Sequence, residues 1–140
     1  MKISSTIFRN HIVTILVTFS AWFGALLVGL PTDYFLQCSF NEQLLISVLT
    51  IPFTMILSYF LLVYFWKENW IKSSLWIAFY ASGPLYIYDY IYLGVIQNLG
   101  HSWYLDYWFL TIGYFWVWLV IPIVGLSLQS RKVHSNTEIH

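Results

Sequence analysis

The sequence predicts an all-α integral membrane protein: a four-helix bundle, antiparallel and running up-down-up-down, with both termini cytoplasmic. Three observations point there. Of 140 residues, 59% are hydrophobic and 9% charged, whereas about a quarter of a soluble domain is charged. Four apolar runs, 12–30, 44–66, 73–96 and 107–128, are each close to the roughly 20 residues that carry a helix across hydrocarbon. All six basic residues fall on one side of those runs: Lys2 and Arg9 before the first, Lys67 and Lys72 between the second and third, Arg131 and Lys132 after the fourth. Loops rich in Lys and Arg stay cytoplasmic.

The first run follows a positive start, as a signal peptide would, but it exceeds the usual length of such a core and lacks a good small-residue cleavage pattern. It reads as an uncleaved first helix. Its Ala21, Ala25 and Gly29 recur every four residues and offer a face to which another backbone can come close. The second run carries Ser47, Thr50, Thr54 and Ser58 at helical spacing, a hydroxyl face suited to a helix contact or to the wall of a polar crevice. The third and fourth contain Pro84 and Pro122, and the second Pro52. Each lacks an N–H and collides with the carbonyl four residues back, and Gly83-Pro84 predicts the sharpest kink. Trp66 and Trp70 at one boundary, and Trp103, Tyr104, Tyr107 and Trp108 at the other, suit rings at headgroup depth. The connections are short, so neighbouring helices should run antiparallel. Residues 131–140 form a polar cytoplasmic tail expected to fray, and the whole chain reads as one domain.

Asp89 is the one ionisable acid or base inside a predicted span. An aspartate at mid-bilayer costs about 2.5–3.5 kcal/mol on insertion scales, so such residues are functional candidates. Ser82, Tyr86 and Tyr92 share its helix face and form with it a candidate intramembrane site. Two alternatives stand: a buried, partnered carboxylate, or a hydrated one at the outer aromatic boundary. The outer loops add His101, Asp106, Asp33 and Glu42, a candidate acidic mouth. No spacing among them matches a metal motif, and no cofactor is expected. His11, His134 and His140 have no evident partners in the sequence. Cys38 is the sole cysteine, which excludes an intramolecular disulfide and any Cys-x-x-Cys site.

Charge beyond what topology requires is absent, so nucleic acid is not an expected partner; the lipid bilayer is. Catalytic motifs are lacking. The leading expectation is a non-enzymatic interaction or assembly protein of the bacterial cytoplasmic (inner) membrane, as a homo-oligomer or part of a larger complex. The alternative is a small transporter or channel subunit with Asp89 as proton or cation site. A lipid-facing enzyme using Asp89, His101 and Asp106 ranks third.

Overall fold

A computed structural model describes residues 2–29, 34–67 and 69–137. The described residues are helical almost throughout: α1 Lys2–Gly29, α2 Tyr34–Gln37, α3 Phe40–Phe60, α4 Trp70–Tyr80, α5 Gly83–Asp89, α6 Trp103–Asp106 and α7 Trp108–Thr137. Two π-helical segments extend the ends of helices, Leu61–Trp66 after α3 and Tyr90–Ile96 after α5. Among the described residues, three helices are long and apolar enough to cross a membrane: Thr6–Gly29, Phe40–Trp66 and Trp108–Lys132. At most a third of the residues in their most apolar windows are buried, so most of their large apolar side chains face outward, as lipid requires.

The segment expected as the third span departs from that rule. It is broken at Ala81 and Ser82 into α4 and α5, the latter running into the Tyr90–Ile96 segment. Pro84 is the cause. It cannot donate to a carbonyl one turn back and sits at the first turn of a new helix, where a missing N–H costs nothing. Ser82, at φ −126° and ψ −59°, lies outside the helical region, and its hydroxyl donates to Ala78 O at 2.8 Å. Pro52 and Pro122, by contrast, lie within continuous helices.

Other boundaries shift for local reasons. Ser39 and Glu42 close a capping box, Glu42 Oε2 accepting from Ser39 N at 2.7 Å, so α3 begins at Phe40. The last helix continues through Arg131 to Thr137, so that part of the expected tail is helical. Trp103 and Tyr107, expected as headgroup anchors, are instead buried in a core cluster with Leu93 and Phe109. A second cluster joins Leu61 and Leu62 to Ile77 and Ala78 of α4 and to Ile121 and Val124 of α7.

Cross-helix bonds fix relative directions. The starts of α3 and α7 meet where Trp108 Nε1 donates to Gln43 Oε1 at 2.9 Å and Ser47 Oγ to Phe109 O at 3.4 Å. Near the other end, Trp66 Nε1 donates to Thr14 Oγ1 of α1 at 3.1 Å, and Lys132 Nζ lies 5.6 Å from the Trp70 ring centre. Thus α1 and α4 run opposite to α3 and α7.

The α4–α7 seam depends on Gly125. A Cβ there would come within 2.8 Å of Trp70 O and 2.7 Å of Ser74 Oγ, too close for any methyl without moving backbone. Gly125→Ala should therefore destabilise the protein by about 1–3 kcal/mol through overpacking. Gly24→Ala, whose Cβ would meet nothing within 4 Å, should be neutral or stabilising by up to about 1 kcal/mol from helix propensity. Thermal unfolding in detergent distinguishes the two.

Candidate functional site

Asp89 ends α5 and is 2% exposed, so its carboxylate is buried among the helices and has partners there. Its carboxylate accepts two hydrogen bonds from two other helices. Trp22 Nε1 of α1 donates to Oδ1 at 2.6 Å, and the Tyr114 hydroxyl of α7 donates to Oδ2. Among the described residues no Lys, Arg or His pairs with it. Hydrogen bonds to an ionised acceptor are short and roughly twice as strong as neutral ones, so this carboxylate ties three helices at one point.

The partners expected from its own helix face are engaged elsewhere. Tyr86 is 46% exposed, its ring against those of Trp103 and Tyr114. The Tyr92 hydroxyl accepts from Gln97 Nε2 at 3.2 Å. Ser82 is buried, and besides its bond to Ala78 it accepts from Trp118 Nε1 at 3.0 Å. Residues three and four apart do share a face, but the π-helical geometry just after Asp89 and the break before Gly83 leave that face short. The donors come across the helix interface instead.

Asp89 lines a partly open cavity of about 210 Å³ between the helices. From α1 come Thr18, Ala21, Trp22 and Ala25, so the predicted small-residue face forms one wall. From α3 come Thr50, Thr54 and Ser58, three of the four predicted hydroxyl residues; α7 supplies Gly113 and Tyr114. The remainder is apolar and mostly aliphatic, with Phe35, Phe53 and Phe109 the aromatic members. Ala25 is exposed as well as cavity-lining, so the space opens beside α1. Two of these hydroxyls are already engaged as donors: Thr50 donates to Ser47 O at 2.6 Å and Ser58 to Met55 O at 3.0 Å, the back-bonding that lets such residues sit in apolar helices. Ser47 is buried against α7. Gly29 is closed by the Phe35 ring.

The predicted outer mouth does not assemble. His101 stacks on Tyr90, ring centres 5.9 Å apart, and Glu42 is held by Ser39 in its capping box. Asp106 ends α6, and Asp33 lies outside the described residues. No bond links His101, Asp106 or Glu42 to one another or to Asp89 among the described residues, and no group of three His, Cys, Asp or Glu there is placed to hold a metal. His11, for which the sequence offered no partner, is enclosed by aromatics: its Nδ1 is 3.1 Å from the Tyr80 hydroxyl, and its ring meets Trp66 and Trp76 edge-on at 4.8 and 5.1 Å.

Sequence reasoning missed Trp22 and Tyr114. The available signal was weak: Tyr114 lies six residues after the start of α7 and Trp22 seven before the end of α1, a depth that an interfacial ring also suits.

Removing either donor leaves Asp89 undersatisfied. Tyr114→Phe and Trp22→Phe should each cost about 1–3 kcal/mol, with the double variant losing less than the sum because both act on one carboxylate. Unfolding measurements repeated in an Asp89→Asn background provide the check, since there the cost of each substitution should shrink. Comparison with protein-family models, with curated proteins and with solved structures finds no match to this chain.

Proposed function

We propose that this chain is a four-pass protein of the bacterial cytoplasmic membrane, both termini inside, and that it serves as a small transporter or channel subunit with Asp89 as its proton or cation site. The fourth crossing is residues 70–96, broken at Ser82 yet equal in residue number to the Phe40–Trp66 helix. The one-sided placement of Lys and Arg supports the orientation.

One observation carries the transport reading: a buried carboxylate with no cationic partner among the described residues lines an otherwise apolar cavity. A purely structural acid would be better served by a closed, packed setting. Here the charge borders space that a small ligand can occupy, and a proton or cation arriving there offsets the cost of an ion in hydrocarbon. Reconstituted into liposomes, the wild type should show a flux driven by a proton or cation gradient, and Asp89→Asn should reduce it to that of empty liposomes. Equal flux from the two proteins would remove Asp89 from the mechanism.

A second reading, an assembly subunit, is favoured by the outward side of α1. Gly24 has open space around it and Val28 is 72% exposed, so this part of α1 is left uncovered by the chain's own helices. Gly24→Leu, which avoids the cavity, and Ala25→Leu should both lower the oligomer seen on blue-native gels and by crosslinking. An unchanged monomer in wild type and variants rules this reading out.

A further inference from the structure

The cavity beside Asp89 is a long cleft. On α3 its lining residues follow one face from Ile46 to Leu61, a distance of about 22 Å at helical rise. On α7 they run from Phe109 to Ile121. Tyr114, whose hydroxyl reaches Asp89, stands seven residues before Ile121. The cleft therefore continues about 10 Å past the carboxylate, towards the end of the molecule that carries the basic residues. Gly113 borders it, and a Cβ there would meet nothing within 4 Å.

The rim is open between α1 and α3. Ala25 on one side is exposed, Phe53 on the other is 59% exposed, and both line the cleft. Both belong to helices long and apolar enough to cross a membrane, so in a bilayer the opening faces acyl chains.

Polar groups in the cleft are few and dispersed. Thr50, Thr54 and Ser58 are strung along α3 over about 12 Å, and Asp89 is the one charged residue among the described lining. A hard metal cation takes about six oxygen ligands around one point, which hydroxyls so far apart do not supply. An ammonium group brings its own donors and needs an acceptor. A carboxylate offers about four lone-pair sites, of which Trp22 and Tyr114 take two. The remaining wall is hydrocarbon, which a bare ion would leave uncovered and an apolar body would fill.

We propose that the cleft binds a primary amine with an elongated apolar body, entering from the bilayer between α1 and α3. Its ammonium sits on Asp89, and its body lies along α3 and α7 towards Leu61 and Ile121. This names a substrate class for the transport reading of Asp89 and rests on that reading.

The test compares octylammonium, octanol, octanoate and methylammonium by thermal unfolding of the full chain in phosphatidylcholine nanodiscs. Octylammonium should raise the unfolding midpoint. Octanol and octanoate lack the cation and methylammonium lacks the body, so none of these three should. Asp89→Asn should weaken octylammonium binding by about tenfold or more, the loss of a charge-assisted bond. Gly113→Leu, which fills the cleft and leaves the carboxylate in place, should also weaken it. Equal stabilisation by octanol and octylammonium overturns the proposal and makes the cleft a seat for any alkyl chain. So does octylammonium binding that is unchanged in Asp89→Asn. If either variant fails to give a monodisperse helical protein, the comparison of probes on the wild type decides alone. Liposome flux separates this inference from the transport reading. An Asp89-dependent proton or potassium flux without octylammonium binding overturns the amine and leaves transport standing. Octylammonium binding with no Asp89-dependent flux keeps the amine site and removes transport.

Discussion

A carboxylate inside an apolar bundle must be surrounded by donors, and that requirement organises this molecule. Asp89 meets it with Trp22 from α1 and Tyr114 from α7. In lipid, apolar contact between helices gains little over contact with acyl chains, so polar links and close packing decide which helices associate. α1 has two further ties of the same kind, Thr14 with Trp66 and His11 with Tyr80, beside ring contacts of Phe19 and Trp22 with Tyr88 and packing of Val13 and Val17 on the aliphatic cluster. Helices α4 and α7 meet differently, by backbone approach at Gly125 and a shared cluster of aliphatic side chains. The molecule therefore combines one closely packed seam with a helix attached by both hydrogen bonds and ring contacts, and the cavity is lined from both sides.

The same scarcity of solvent governs the backbone. Interrupted helices persist in hydrocarbon only where something else satisfies the freed groups. At the break before α5 the Ser82 hydroxyl bonds to Ala78 O and receives the Trp118 indole. At two other points the chain uses wider turns, Lys67 N bonding to Leu62 O and Gln97 N to Tyr92 O, each five residues back. Such π-type segments recur at functional sites, and here the Tyr90–Ile96 segment begins beside Asp89.

Much of the helical content was legible in the amino acids, because span length and apolar composition are local properties. The capping box at Ser39 and Glu42 was equally local, but Glu42 was read as an outer-mouth acid, a reminder that a charged loop residue beside a helix start has a nearer duty. Pro84 announced a disturbance correctly; whether it bends or divides a helix depends on what stands ready to bond the released groups, and Trp118 is 34 residues away. Asp89 stood out by charge alone. Its partners did not, since Trp22 and Tyr114 are separated from it by 67 and 25 residues, and no helical periodicity connects them. Trp103 and Tyr107 show the opposite error: a ring at a boundary suits an interface or a core equally, and neighbouring elements decide between them.

The division of residues 70–96 into two rods has a mechanical consequence. The α4 rod is clamped to α7 at Gly125, while Asp89 rides at the far end of α5, roughly 10 Å beyond the joint at helical rise. Ser82 is a pivot, and α5 is its lever arm. A small tilt about that pivot is magnified at the carboxylate, and it strains the bonds to Trp22 and Tyr114 while the clamped seam stays in place.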